Sequence, residues 1–566
     1  MDRPEYAARY GPSTGDRVRL ADSNLLVRVE ADHVGYGDEP LFGFGKPLRS
    51  RLLQDDGASR DSELDLLVAG VLVLDPLLGV VKTNLGIKEG RVVGLGPVGG
   101  RAISGQDLVV GPNTYPVPAF GLIATPGGVD SHVHLPTPRL VPAALAAGVT
   151  TLITAGFEEP PYGMERMFEA FEYLPINLGL QACARTADPS SAEAVIEAGA
   201  VGLKVHEDYG AYAELIDAAL VAAEAHDVAV CLHTDGFNET AEIDDTLAAI
   251  GGRTVHAYHV EGSAGGHLPD NLMLVTDPAV ICSSTTPSVP FARFTAAEHV
   301  AMTMAVHGGN PDHANDVEAF RERVHVGTMT AEGPLQDFGA ISIINSDSQG
   351  VGRMAETIRR TWQLADAMKR WRGAAGAGWG IDGGPDQPDL TGPDDNHRVL
   401  RYLAKYTIEP ALVHGIADEV GSLLPGRLAD LVLWRPAYFG VKPELVLKAG
   451  FEAWGPLGVG NGSVERVQPT AYAAHWGGTG RAGSRLGVTF TSRLALETTF
   501  SRGSGTSRRL VAVQGTRGLS RTDMALNRAV PAIEIDPVDA TVTLADRRLA
   551  ADPVESVPLN RAYLVT

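Results

Sequence analysis

Cysteine is scarce in this sequence: three in 566 residues, at Cys183, Cys231 and Cys282. They are dispersed, odd in number and free of any Cys-x-x-Cys pair, which argues against a disulfide framework and fits a reducing compartment. Long hydrophobic runs are missing as well. No stretch reaches 18 apolar residues, and the opening MDRPEYAARY carries no apolar signal core, so neither a membrane span nor export is expected and the expected location is cytoplasmic. Positive charge is in deficit: 47 Lys and Arg against 69 Asp and Glu leave a formal net charge of −22. That balance argues against nucleic acid and anionic membranes as partners and favours solubility.

Apolar residues are plentiful at 44%, so a chain of this length can bury a large core and is expected to form two or more domains. Residues 1–122 hold short Val/Leu runs punctuated by glycine, such as LDLLVAGVLVLDP and LGIKEGRVVGLGP, which predict antiparallel strands and hairpins. Residues 123–425 alternate strand-like with helical runs: VTTLIT, MERMFEAFEYL, INLGLQA, SSAEAVIEAGA, VGLKVHED. Such alternation predicts an α/β fold, a parallel sheet closed as a (β/α)8 TIM-type barrel. The β pattern returns over 426–480. In the C-terminal segment, 481–566, signals are fewer, although AIEIDPVDATVTLADRRL reads as a hairpin. The Gly/Pro/Asp-rich stretch 372–395 is expected to be a mobile loop.

Six residues carry the chemistry: His132, His134, Lys204, His233, His259 and Asp347, at gaps of 2, 70, 29, 26 and 88. Lys204, His233 and His259 end apolar strand-like runs, and Asp347 follows ISIINS. A parallel barrel brings the C-terminal ends of its strands to one face, where such residues converge. Four imidazoles and a carboxylate suit a borderline divalent transition metal. Lysine is the odd member, since an ammonium cannot ligate; reaction of its amine with carbon dioxide would make a carbamate able to bridge two metals. Two metals sharing that bridge and a water would generate hydroxide at neutral pH. Singly, each residue has a blander reading: a hydrogen-bonded histidine, or a snorkelling lysine. Together, in barrel order, they favour the metal site. His256, three residues before His259, is expected on the opposite face of its strand.

Longer words then identify a family. YGPSTGDRVRLADS (10–23), YGDEPLFGFGK (36–46), GLKVHEDYG (202–210), LHTDGFNET (232–240), GRTVHAYHVEG (252–262), INSDSQGVGRMAE (344–356), RYLAKYTIEPALVHGI (401–416) and ADLVLWRPAYFGVKPELVLKAG (429–450) together resemble the urease alpha (catalytic) subunits of the amidohydrolase superfamily. The resemblance implies a smaller β-rich domain built from the N-terminal segment and the post-barrel segment 426–480. It implies two nickel ions per chain, on the six residues above, with Lys204 N6-carboxylated by carbon dioxide. It also implies hydrolysis of urea to ammonia and carbamate by a metal-bridging hydroxide. Implied partners are urease beta and gamma subunits, in a trimer of heterotrimers, and nickel-delivery accessory proteins. His206 would hydrogen-bond the urea carbonyl oxygen. His307 would be the general acid of a mobile flap, with Asp208 and Arg323 setting its orientation and protonation. The position of Ala264 would offer a backbone carbonyl to a urea NH2 group.

Four departures from the family pattern stand out. The segment after Ile153 reads TAGFEEPPYGMERM and is about ten residues short of the family's glycine-rich loop. Ala264 replaces a glycine, Val306 replaces the cysteine before the flap histidine, and Gly350 replaces an alanine. These changes leave open a binuclear amidohydrolase of urease descent acting on another ureido or amide substrate, and, less favoured, a non-catalytic paralogue.

Overall fold

The run LLVAGVLVLD is apolar on both faces of a strand, so it has to lie inside a sheet. In the computed structural model, which describes residues 1–135, 137–156, 160–206, 209–233, 243–262, 269–375, 392–457, 471–502 and 506–560, Leu66–Asp75 is buried along its whole length. It pairs antiparallel with Gly79–Lys88 across a turn in which the Asp75 carboxylate accepts from the Leu77 N–H. Ile123–Pro126 runs parallel to Leu66–Asp75 on one side and antiparallel to Leu431–Trp434 on the other. Leu445–Lys448, Phe451–Leu457 and Ala471–Ala474 extend the same eleven-stranded sheet. Strands from before and after the barrel therefore share one sheet.

Between them lie eight parallel strand positions: β1 (Gly128–Val133), β2 (Val149–Thr154), β3 (Asn177–Gly179 continuing as Gln181–Cys183), β4 (Gly202–Val205), β5 (Ala229–His233), β6 (Val255–Tyr258), β7 (Val280–Thr285) and β8 (Ile343–Asn345). Each pairs in parallel with the next, the two pieces of β3 serving β2 and β4 respectively. Between the ends of β8 and β1 the ring is joined by the His134 N–H donating to the Ser348 carbonyl at 2.9 Å and the Ser346 N–H donating to Asp130 Oδ1 at 3.0 Å. The intervening helices α1 (Val141–Ala147), α2 (Pro161–Ala170), α3 (Pro189–Glu197), α4 (Ala213–His226) and α5 (Ile243–Ile250) follow β1 to β5 in turn. After β7 come α6 (Thr295–Val306), α7 (Ala314–Glu322) and α8 (Val326–Phe338); after β8 come α9 (Thr357–Ala375), α10 (Asn396–Ala404) and α11 (Ile408–Val413). This is the (β/α)8 architecture expected from the strand–helix alternation.

The C-terminal segment does more than form the expected hairpin, Ile533–Ile535 with Val542–Leu544. Val488–Thr491 pairs in parallel with Asn177–Gly179 of β3, and Arg509–Ala512 pairs with it in turn. The buried Arg508 guanidinium pins this addition by donating to the carbonyls of Phe171, Leu174 and Val488. The expectation of a mobile loop over 372–395 fails at both ends. Arg372 is buried against Asp337, and Asp395 is buried, accepting from the Leu26 N–H at 2.7 Å and pairing with Lys369. Residues 376–391 lie outside the described residues.

Candidate metal centre

Five of the eight barrel strands carry the expected residues at or just past their C-terminal ends. His132 is the penultimate residue of β1 and His134 follows it; Lys204 is the penultimate residue of β4; His233 ends β5; His259 follows β6; Asp347 lies two residues past β8. Two of them need an uncommon backbone. His259 (φ 33°) and Asp347 (φ 48°) are left-handed, a conformation costing about 1–3 kcal/mol outside glycine and one that clusters at functional sites. The turn at Asp347 is held by the N–H groups of Gly350 and Gly352, both donating to its carbonyl.

The six side chains converge. Ligand atoms of His132, His134 and Asp347 all lie within 4.8 Å of one another. His132 Nε2 and His134 Nε2 each stand 3.4 Å from Asp347 Oδ1, and Lys204 Nζ lies 3.4 Å from His132 Nε2. The rings of His233 and His259 are 4.1 Å apart, and that of His259 is 5.6 Å from His132. Burial, followed by the Lys204 charge, pushes His132 and His233 well below the usual histidine range, so both offer neutral lone pairs. For Asp347, burial works to raise the carboxyl, but the hydrogen bond and charge of His134 overcome it and leave it ionised below its ordinary range. The neutral imidazoles of His132 and His233 and the ionised carboxylate of Asp347 are protonation states a divalent metal requires. Two buried atoms beside the cluster, His132 Nδ1 and Asp130 Oδ2, have no hydrogen-bond partner among the described residues. The donor set and its charge state thus fit a metal.

The remaining expected residues divide. His206 lies one residue past β4 with its ring 4.3 Å from that of His233, so it faces the cluster. His307 caps the C-terminus of α6, half-buried, and its Nδ1 donates to the Thr303 carbonyl at 2.8 Å, since a carbonyl only accepts. Arg323 caps α7, the next helix, and Phe320 of α7 lies 6.2 Å from the His307 ring. Asp208 and Ala264 lie outside the described residues.

Several contributors escaped the sequence reading. Tyr258 stacks on His132 (3.9 Å, 20° between planes) and lies 4.2 Å from Lys204 Nζ; its hydroxyl donates to the Ser131 carbonyl and accepts from Gln181 Nε2, each at 2.8 Å. Asp130 ties β8 to β1, and burial pushes its carboxyl up to about 6. Gly156 (φ 100°) lets the segment after β2 approach Lys204 so closely that a Cβ there would lie 2.6 Å from Lys204 Cβ. At Gly350 a Cβ would lie 2.3 Å from Asp347 Oδ1. The expected face of His256 is corrected: with Tyr258 it faces the barrel interior, where its ring lies 4.6 Å from the Tyr258 ring and Nδ1 4.0 Å from Cys231 Sγ. His259 joins that interior because the left-handed turn of its backbone redirects the side chain. Only its place in the strand could have signalled Tyr258, two residues along from His256 on the same face.

Comparison with known proteins completes the description. Residues 1–117 match the family described as urease alpha-subunit, N-terminal domain, and residues 123–452 match the amidohydrolase family. The chain is 45% identical to urease subunit alpha 1 of Streptomyces avermitilis and 45% identical to urease subunit alpha 2 of Streptomyces coelicolor, covering 100% of both chains in each case. It is 42% identical to urease subunit alpha of Natronomonas pharaonis, covering 100% of this chain and 99% of that one. Similarity of this level, running from end to end across the very strands that carry the converging histidines, places this chain in the urease alpha-subunit family of amidohydrolases.

Proposed function

We propose that this chain is a urease catalytic subunit, hydrolysing urea to ammonia and carbamate. What carries the reading is the convergence of His132, His134, Lys204 and Asp347 at one barrel mouth, in a chain similar throughout to urease alpha subunits. His132, His134, His233, His259, Asp347 and Lys204 as its carbamate would hold two nickel ions. When bound, such a pair supplies a Lewis acid for the substrate carbonyl and lowers the pKa of a coordinated water.

The chain's own groups do the rest. His206, beside His233, donates to the urea carbonyl oxygen and favours charge building there in the transition state. His307 gives its Nε2 proton to the departing nitrogen, while the Thr303 carbonyl keeps its other nitrogen protonated and its ring aimed. Arg323 and Asp208 set the orientation and charge of His307, and the backbone at Ala264 receives a urea N–H. Tyr258 walls off the Lys204 side chain from beneath. The name of the relatives, subunit alpha, supports a multi-subunit complex, for which we propose beta and gamma subunits and nickel-delivery proteins as partners. Among the described residues no helix is long and apolar enough to cross a membrane; a cytoplasmic location is part of the same proposal.

One observation favours a second reading, a larger ureido or amide substrate. A cavity of about 650 Å³ lies between α6 and the turn after Asp347, lined by Met302, Val306, Gly350, Val351, Arg353 and Arg360. The test is to purify the complex, count metal per chain and measure ammonia release from urea. Near two nickel ions with urea turnover supports the first reading. Two metals without urea turnover, and with hydrolysis of N-substituted ureas, would replace it with the second.

A further inference from the structure

One layer below the six-residue cluster, strand register brings together three residues that the hydrolytic reading does not use. Cys231 of β5 is the direct neighbour of His256 on β6, and His414, which caps α11, reaches the same point from the end of the barrel's last helix. Cys231 Sγ lies 4.0 Å from His256 Nδ1, and His256 Nδ1 lies 3.2 Å from His414 Nε2. The sulfur and one nitrogen of each ring all stand within 4.8 Å of one another. Ligands about 2.0 Å (nitrogen) and 2.3 Å (sulfur) from a common ion stand roughly 3.2–3.7 Å apart. The nitrogens already have that spacing; the sulfur stands 4.0 Å from His256 Nδ1 and within 4.8 Å of the His414 nitrogen, so it has to draw in as an ion binds.

The two imidazole nitrogens face each other, so only one proton fits between them. Burial holds both rings neutral, with His414 pushed down to about 3 and His256 well below its usual range. A lone-pair nitrogen, the N–H that faces it and a thiol therefore converge on one point with solvent excluded, all three residues being at most 1% exposed. Net charge then selects the ion. A thiolate and two neutral imidazoles neutralise a monovalent cation, whereas a divalent one would leave an uncompensated positive charge where burial makes it costly. Thiolate with imidazole is the donor set of copper(I), which accepts three ligands.

We propose that Cys231, His256 and His414 form a second metal site in this chain, one that takes a soft monovalent cation such as copper(I). On binding, the Cys231 S–H bond breaks and its proton leaves to solvent as the Cu–S bond forms. Whichever ring carries the proton between them shifts it to its own outer nitrogen, His256 Nε2 or His414 Nδ1, so both rings stay neutral and both facing nitrogens ligate. Copper enters as copper(I), and nothing is oxidised or reduced.

The test is copper content rather than urea turnover, so it stands or falls separately from the proposed function. The full chain would be expressed in copper-supplemented medium, desalted against a weak copper(I) chelator, and its copper counted by emission spectroscopy. We expect about one copper per chain in the wild type and in Lys204→Ala. Cys231→Ala and His414→Gln should hold less than a tenth of that. X-ray absorption at the copper edge of the wild-type protein should show one sulfur and two imidazole nitrogens, a readout that needs no variant to fold. No retained copper in the wild type, copper undiminished in Cys231→Ala, copper lost with Lys204→Ala, or a copper shell without sulfur would each overturn the site.

Discussion

Gly156→Ala is the sharpest single perturbation that the structure offers. The glycine sits at φ 100°, and an added Cβ would lie 2.6 Å from Lys204 Cβ and 3.0 Å from Lys204 Cγ. Ordinary contact begins at 3.4 Å, so the segment after β2 and strand β4 must part by about 1 Å. Lys204 is buried and paired on both sides of its strand, so the shift cannot be absorbed by a flexible side-chain end. Backbone strain at positive φ adds about 1–2 kcal/mol, and overpacking of a tight site about 1–3 kcal/mol more. A displacement of about 1 Å at a catalytic group costs on the order of a hundredfold in rate. We therefore expect Gly156→Ala to lower kcat for urea about a hundredfold and to destabilise the chain by about 2–5 kcal/mol, the sum of the two costs. Gly252→Ala is the control, since Gly252 has φ 72° with nothing within 4 Å of an added Cβ. It should show the strain cost alone, with kcat unchanged. Ammonia-release kinetics and thermal melts read both. Wild-type kcat in Gly156→Ala, or an equal loss in Gly252→Ala, would refute the argument that Gly156 sets the place of Lys204.

Three other perturbations follow from the same geometry. Lys204→Ala should lose activity and most of the bound metal, with partial recovery on adding formate or bicarbonate; metal analysis showing full retention and normal turnover would remove the carbamate from the site. His307→Ala should cut kcat about a hundredfold or more at unchanged metal content, whereas His206→Ala should raise KM as well as lower kcat, and steady-state kinetics with metal counts separate the two. Asp337 is buried against Arg372 and Arg398 and accepts from Tyr402. Burial alone would raise its carboxyl, but the Arg398 charge and hydrogen bonds hold it down to about 2, against 3.8 when unfolded. A depressed carboxyl contributes stability that is fully present above the unfolded value and is lost as pH falls through the folded one. Asp337 should therefore contribute about 2 kcal/mol at neutral pH, lost between about pH 4 and pH 2. Asp337→Asn should cost about 3–5 kcal/mol by removing the buried carboxylate that Arg372 and Arg398 share; urea-free chemical denaturation, for example in guanidinium chloride, would show it as a lowered midpoint that shifts less over that pH window.

What the sequence determined by itself was local in origin. Strand–helix alternation over 123–425 specified a parallel barrel, because periods of 2 and 3.6 are written in neighbouring residues. The same alternation put Lys204, His233 and Asp347 at or just beyond strand ends, and a parallel barrel has only one face on which such ends can meet. Fold class and the principal cluster were therefore legible before any contact was known. Pairing between distant segments was not. Nothing in GVTFT announces that Val488–Thr491 will lie against Asn177–Gly179, more than 300 residues earlier, because strand pairing across a long loop is decided by which edge is left open. Alternation placed His256 opposite His259, yet the left-handed backbone at His259 turns both inward, and a φ of 33° leaves no mark in composition. Tyr258 beneath Lys204, Gly156 against its Cβ, and Cys231 beside His256 and His414 are all products of register and close approach. Sequence periodicity tells which face of an element a side chain occupies; only the packed barrel decides what that face meets.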